Sequence, residues 1–351
     1  MKAKNYLLAS IIMVELMYLG IDVGGANTKL ATAEGRVESL YAPLWQAKER
    51  LYDVLAAAKR KYGSELDAVG AVMTGELSDC FDSRRDGVLY IKDALASTFT
   101  SVLFFDLDGA FRTPAAVDRD PLAFAASNWL ASATLVAEQY PDAIFVDIGS
   151  TTTDVIPIVG GEIQAHKTDL GRLQADELLY AGILRTNIAA LLHSVELDEG
   201  KVSGVASELF AITADAYLVL GDISAAEYSC SSPNSYAFGG READEKSRVS
   251  ALQRLARVVC SDLEELGERG AVRIAAQVKR AQVDALAGSL ARLKAEYRLE
   301  TIVAAGIGDF IVREAAEVID LHPIFLSSVY GKELAATFPA YAVAKLVETF
   351  S

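Results

Sequence analysis

The sequence predicts an α/β protein of two domains, each a mixed sheet flanked by helices, with a ligand cleft between them. Three observations carry that expectation. A strand–turn–strand unit is written twice, as YLGIDVGGANTKL at residues 18–30 and as IFVDIGSTTTDVIPI at residues 144–158. Short apolar runs of strand character alternate with stretches of helical periodicity along much of the chain. Near the end a further strand, TIVAAGIGDF, enters a Gly-x-Gly turn that opens a helix.

After the first hairpin, residues 36–41 read as a third strand and residues 46–62 as a helix whose stripe is Leu51, Val54, Leu55 and Ala58. Residues 66–73 form a short buried strand that delivers Thr74, Gly75 and Glu76 to the carboxyl edge of the sheet, where open α/β sheets bind ligands. Glu76 reads as a metal ligand, as a general base, or as the cap of the next turn. Arg84 and Arg85 read as anion contacts or as solvated side chains. Residues 88–99 predict a helix, 102–106 a strand, and 115–139 one Ala-rich helix that ends at Tyr140-Pro141.

The second half repeats the order. Residues 175–184, ADELLYAGIL, suit a helix, and 207–220 are an apolar helix in which Glu208 and Asp215, seven apart, share one face. That acidic pair reads equally as a site for a substrate amine or metal and as caps or hinge ion pairs. Residues 226–246 are the one long loop. Residues 252–297 predict a helical region broken near Gly270 and Gly288. Gly306 and Gly308, ahead of Asp309 and the helix 311–319, mark another anion or ribose turn. The domain division expected is 1–16 as an extension or mis-assigned start, 17–140 as the first domain and 141–351 as the second.

The two hairpins share the spacing Asp-x-Gly-x-x-x-Thr, with Asp22, Gly24 and Thr28 in one and Asp147, Gly149 and Thr153 in the other. One copy alone reads as an ordinary hairpin turn. Two copies read as a duplicated anion site, because a Gly-, Ser- and Thr-rich turn leaves backbone N–H groups without ladder partners and lets a ligand approach the backbone. The predicted diphosphate contacts are Gly24, Gly25, Asn27, Thr28 and Lys29 in the first loop and Gly149, Ser150, Thr151, Thr152 and Thr153 in the second. Carboxylates alone repel phosphate, so Asp22 and Asp147 are expected to hold Mg²⁺, which combines one or two carboxylates with phosphate oxygens.

Composition narrows the classes. The 351 residues, 52% hydrophobic and 23% charged, suit two globular cores. A net charge of −15 disfavours nucleic acid as a partner, since phosphate backbones require clustered Lys and Arg. Cys80, Cys230 and Cys260 are widely spaced and odd in number, which fits a reducing compartment and supplies no zinc or disulfide framework. His166, His193 and His322 lack metal-ligand spacing. Residues 6–14, YLLASIIMV, resemble a signal sequence only superficially, because they run straight into the first strand; the expectation is a cytoplasmic protein with no membrane span. A P-loop and a full GxGxxG are absent from the sequence. Whether the chain pairs as a homodimer stays open.

The paired Asp-x-Gly hairpins and the late strand–GxG–helix together resemble the superfamily of acetate and sugar kinases, Hsp70 and actin. Within it the chain resembles the hydantoinase A/5-oxoprolinase group. Four stretches, MTGELSDCFDSRRDGV (73–88), DIGSTTTDVIPI (147–158), TDLGRLQADELLYAGILRT (168–186) and ELFAITADAYLVLG (208–221), resemble one branch of that group. In archaea this branch holds the synthases of methanofuran biosynthesis, and in methylotrophic bacteria relatives tied to tetrahydromethanopterin-linked C1 transfer.

The resemblance implies two actin/RNase H-like domains and a transferase that joins aminomethylfuran diphosphate to the phenol oxygen of γ-glutamyltyramine, with pyrophosphate leaving. It makes Glu76 and Asp154 candidates for the catalytic base, and Asp169, Arg172, Arg185, Glu208 and Asp215 candidates for substrate contact. The phosphate loops serve equally an ATP-dependent kinase or ATPase with adenosine at Gly306, Gly308 and Asp309. A non-catalytic nucleotide sensor is disfavoured because all three loops keep ligand-compatible residues.

Overall fold

The computed structural model describes residues 17–63, 66–198, 200–233 and 245–350. The expectation for residues 1–16 lies outside them, as do residues 234–244 of the predicted long loop.

The first sheet contains β1 (Met17–Val23), β2 (Asn27–Thr32), β3 (Val37–Tyr41), β4 (Leu66–Met73), β5 (Val102–Phe105) and β6 (Phe111–Arg112). Its order is β3-β2-β1-β4-β5-β6. The first three strands form an antiparallel meander, and β4 and β5 run parallel to β1 through helical crossovers Arg50–Tyr62 and Arg84–Thr98. The second sheet contains β7 (Ala143–Ile148), β8 (Thr153–Val159), β9 (Glu162–Ile163), β10 (Leu178–Leu179), β13 (Ile302–Gly306) and β14 (Pro323–Phe325). A separate hairpin pairs β11 (Ser194–Asp198) with β12 (Lys201–Gly204). Every residue of β1 and β7 is buried, as continuous apolar strands covered on both faces must be.

Between the sheets lies a core that joins Tyr18 and Val72 of the first to Phe145, Ile156 and Val303 of the second. Helices Asn128–Gln139 and Phe338–Phe350 fill it. The last helix therefore returns from the second half of the chain to lie on the first sheet. Gly20 of β1 makes this approach possible: a Cβ there would stand 1.9 Å from the Ala340 carbonyl oxygen.

Several predicted helices are different in the structure. Residues 175–184 are β10 and turns, because their backbone is taken by the second sheet: Val155 N–H donates to the Glu177 carbonyl at 2.8 Å, and Leu178 pairs with Asp154. The single helix expected over 115–139 is three pieces, Pro114–Arg119, the 3₁₀ turn Pro121–Phe124 and Asn128–Gln139. Pro121 removes a backbone donor and Ala126 takes a left-handed φ of 51°, so helix continuity fails there. In the third case the break falls between Arg248–Arg257 and Gly267–Tyr297, at Cys260 with φ 58°, whereas Gly270 and Gly288 lie inside the long helix.

Candidate active site

The two hairpin turns bound one cleft of about 580 Å³. They are built alike. Gly24 N–H donates to the Asn27 carbonyl at 3.0 Å, and Gly149 N–H to the Thr152 carbonyl at 2.9 Å. A backing segment occupies the carbonyls of each turn. Leu44 N–H donates to Gly25 O at 2.8 Å and Ala42 N–H to Ala26 O at 3.0 Å; Ile183 N–H donates to Gly149 O at 3.0 Å, and Leu184 and Arg185 N–H to Ser150 O at 3.0 and 3.1 Å. The amides of Gly25, Ala26, Ser150 and Thr151 have no hydrogen-bond partner among the described residues. Turns with filled acceptors and spare donors favour an anion.

Carboxylates stand at the strand ends beside these turns. Asp22 faces Lys29 across the β1–β2 ladder, and Asp147 faces Asp154 across β7–β8. Burial pushes the Asp22 carboxyl up to about 6, with Lys29 pulling it down and Asp154 adding to the rise. Burial pushes Asp147 up to about 7, again opposed by Lys29 and reinforced by Asp154 and Asp22. Burial likewise raises Glu76 to about 7 against the pull of Arg84. One oxygen of Asp22 and one of Glu76 are buried with no partner, a costly state that a ligand or cation relieves. Among the described residues no group of three or more His, Cys, Asp and Glu is arranged to hold a metal. Asp22 and Asp147 both line the cleft, and the unpartnered Asp22 oxygen is a donor suited to a cation.

A chain of alternating charges crosses the cleft. Arg84 lies 3.3 Å from Glu76 and 2.5 Å from Asp169; Arg172 lies 2.7 Å from Asp169 and also pairs with Asp154. Local sequence sets both arginines. Ser83 caps the helix Arg84–Thr98 by accepting from Asp86 N–H at 3.2 Å, and Thr168 caps Asp169–Gln174 by accepting from Gly171 N–H at 3.1 Å. The Arg172 guanidinium also stacks 4.5 Å from the centre of Trp129. Asp154, one of the two predicted bases, is therefore committed to an arginine, while Glu76 keeps a free oxygen.

Of the predicted site residues, Asp22, Gly24, Gly25, Asn27, Lys29, Glu76, Asp147, Gly149, Ser150, Thr151, Thr152, Asp154, Asp169, Arg172 and Arg185 line the cleft. Thr28 and Thr153 do not; they are buried behind the turns, and the Thr153 hydroxyl donates to Ala181 O at 2.7 Å. Glu208 is exposed in the loop before the helix Thr213–Leu220, so it shares no helical face with Asp215. Asp215 is fully buried away from the cleft: its oxygens accept from Arg254 at 2.6 and 2.9 Å, from Tyr228 OH at 2.9 Å and from Ile212 N–H at 3.0 Å. Gly306, Gly308 and Asp309 form the expected strand–turn–helix but do not line the cleft. A Cβ on Gly306, whose φ is +90°, would stand 2.6 Å from an Asp147 oxygen, so this glycine makes room for that carboxylate. Sequence reading did not single out Trp45, Ser78, Asp79, Asn128 and Tyr180, which also line the cleft; Ser78, Asp79 and Tyr180 sit inside the stretches 73–88 and 168–186, whereas Trp45 and Asn128 sit in no motif that marks them.

Most of the chain matches a known family. Residues 67–350 match the Hydantoinase/oxoprolinase family model, and the chain belongs to that family. It is 36% identical over 340 residues, 95% of this chain and 98% of the other, to a Methanocaldococcus jannaschii protein named as a (γ-L-glutamylamino)ethyl-phenoxymethyl-furan-methanamine synthase. A Methanococcus vannielii protein of the same name is 35% identical over 211 residues, 59% of this chain and 91% of the other. Among solved structures, nucleotide-free acetone carboxylase superposes with a TM-score of 0.54 at 11% identity, covering 94% of this chain and 70% of that one, a likeness of fold.

Proposed function

We propose that the chain is a transferase that joins aminomethylfuran diphosphate to the phenol oxygen of γ-glutamyltyramine and releases pyrophosphate. The observation that carries this reading is the pair of turns whose amides remain unpartnered on either side of Asp22 and Asp147. The synthase name of relatives 36% and 35% identical supports the choice of substrates. In this reading residues 17–140 and 141–351 form the two domains, with Phe338–Phe350 covering the first sheet.

The bond that breaks joins the furan CH₂ to the diphosphate oxygen; the bond that forms joins the same carbon to the phenol oxygen. The electron-rich furan stabilises positive charge on that CH₂, so the departing group can leave early. The amides of both turns hold the diphosphate where its negative charge grows, an arrangement that lowers the barrier because the donors are already in place. Asp22 and Asp147 would hold Mg²⁺, which supplies charge to offset the leaving diphosphate. The phenol, with an ordinary pKa of about 10, needs a base. Glu76, 1% exposed and raised to about 7, has the free oxygen to take its proton.

An ATP-dependent kinase of the same fold would place adenosine near Gly306 and Gly308, behind Asp147, and would convert ATP to ADP. The test is incubation of the chain with Mg²⁺, the furan diphosphate and the phenol, omitting each in turn and weighing the product by mass spectrometry. The joined ether should form only in the complete mixture, with one pyrophosphate per ether. ATP conversion to ADP without ether would contradict the assignment.

A further inference from the structure

Four basic side chains line the cleft: Lys29, Arg84, Arg172 and Arg185. Three are already engaged. Lys29 Nζ donates to the Ala336 carbonyl at 2.8 Å and stands across the ladder from Asp22. Arg84 and Arg172 are held by Glu76, Asp169 and Asp154. Arg185 has no ion pair with any described carboxylate. Its guanidinium lies instead 4.3 Å from the centre of the Trp45 ring.

The two partners of this stack are tied to opposite anion turns. Arg185 N–H donates to Ser150 O of the second turn at 3.1 Å, and Leu44, the residue before Trp45, donates to Gly25 O of the first at 2.8 Å. Stacking fixes the plane of a guanidinium and leaves its N–H edge free, and that edge suits phosphate oxygens in a bidentate fork. The Trp129–Arg172 stack differs in just this respect, because Arg172 spends its edge on two carboxylates.

We propose that Arg185, held in plane by Trp45, is the side chain that grips the leaving diphosphate, and that Trp45 is the positioning residue that keeps it between the two turns. The inference rests on the diphosphate reading above and adds to it the identity of the cation. Arg84 and Arg172 organise the cleft; Arg185 reads the ligand. Binding also brings the anion beside one of the chain's two tryptophans, and the other, Trp129, is buried with Arg172.

The test titrates full-length protein with inorganic pyrophosphate, with and without Mg²⁺, by calorimetry and by tryptophan fluorescence. Wild type should bind, with a fluorescence change that Trp45→Phe reduces. Arg185→Gln should weaken binding at least tenfold and Arg185→Lys less, because a point charge lacks the fork. Trp45→Phe should keep near-normal affinity, and Trp45→Ala should lose several-fold in pyrophosphate affinity at unchanged thermal midpoint. Equal pyrophosphate affinity in wild type and Arg185→Gln would overturn this inference and leave the diphosphate reading intact. Failure of wild type to bind pyrophosphate at all would overturn both.

Discussion

Asp147 and Asp154 stand opposite one another in the β7–β8 ladder. The corresponding rung of the first hairpin pairs Asp22 with Lys29. One duplicated unit thus carries a like-charged rung in one copy and a neutralised rung in the other. Burial raises both Asp22 and Asp147, and at each of them Lys29 opposes the rise and Asp154 adds to it. Without a ligand, the cleft holds acids whose ionised forms are disfavoured.

The pH dependence of stability follows from that. Folded carboxyls raised above their unfolded values bind protons that the unfolded chain releases, so their contribution is present in acid and is lost as pH rises through about 6 to 7. Ligand-free protein should therefore lose thermal stability between pH 5 and pH 8, and Asp147→Asn should raise the midpoint at pH 8, by about 2 °C or more, and by less at pH 5. Differential scanning calorimetry at the two pH values checks this. A midpoint lowered by Asp147→Asn at pH 8 would be the contrary result.

Glu76 should control the rate. In the proposed site, with the diphosphate and Mg²⁺ saturating, Asp22 and Asp147 would stay ionised, which leaves Glu76, raised to about 7, to titrate. Turnover should rise with pH through that range. Glu76→Gln should remove the rise and lower kcat by roughly 10²-fold or more, the usual size of a general-base contribution. A pH profile unchanged in shape in Glu76→Gln would assign the proton to another group.

Gly182 supports the second turn from behind. A Cβ there would lie 2.4 Å from Thr151 N and 2.5 Å from Ser150 C, so an alanine must displace the turn. Gly182→Ala should weaken pyrophosphate binding about tenfold or more, since misplaced donors lose their charge-assisted hydrogen bonds. Gly204→Ala, which meets nothing within 4 Å, should bind as wild type. Equal binding in both variants would remove the second turn from the site.

Arg172 tests the buried ion-pair chain. It is 3% exposed and paired with the buried Asp154. Arg172→Met should cost about 3–5 kcal/mol in denaturant unfolding, the expected penalty for leaving a buried carboxylate alone. Arg172→Met combined with Asp154→Leu should recover most of that loss and remain inactive. Recovery of turnover in the double variant would make the chain of charges purely structural.

The paired turns were legible in the sequence because the spacing Asp-x-Gly-x-x-x-Thr is local, and the pairing of each hairpin runs only from Leu19 to Thr32 or from Ala143 to Ile158. What was not legible depends on distant partners. The sequence leaves Asp215 open between a site acid and a cap or ion pair, and only Arg254, 39 residues away, selects the second. The Gly-x-Gly of 306–308 reads as an anion turn, and the tertiary fold adds that Gly306 leaves room for the Ile148 carbonyl and the Asp147 carboxylate. Residues 175–184 carry helical composition, yet hydrogen bonds to β8 and to the second turn hold them as a short strand and turns. Trp45 carries no local mark and reaches the cleft through the tertiary fold.

The central claim is most directly tested by pyrophosphate release with Mg²⁺, aminomethylfuran diphosphate and γ-glutamyltyramine, comparing wild type with Asp22→Asn and Asp147→Asn. The account predicts release from wild type that requires the phenol and collapses in both variants. Release independent of the phenol, or undiminished in the two variants, would contradict it.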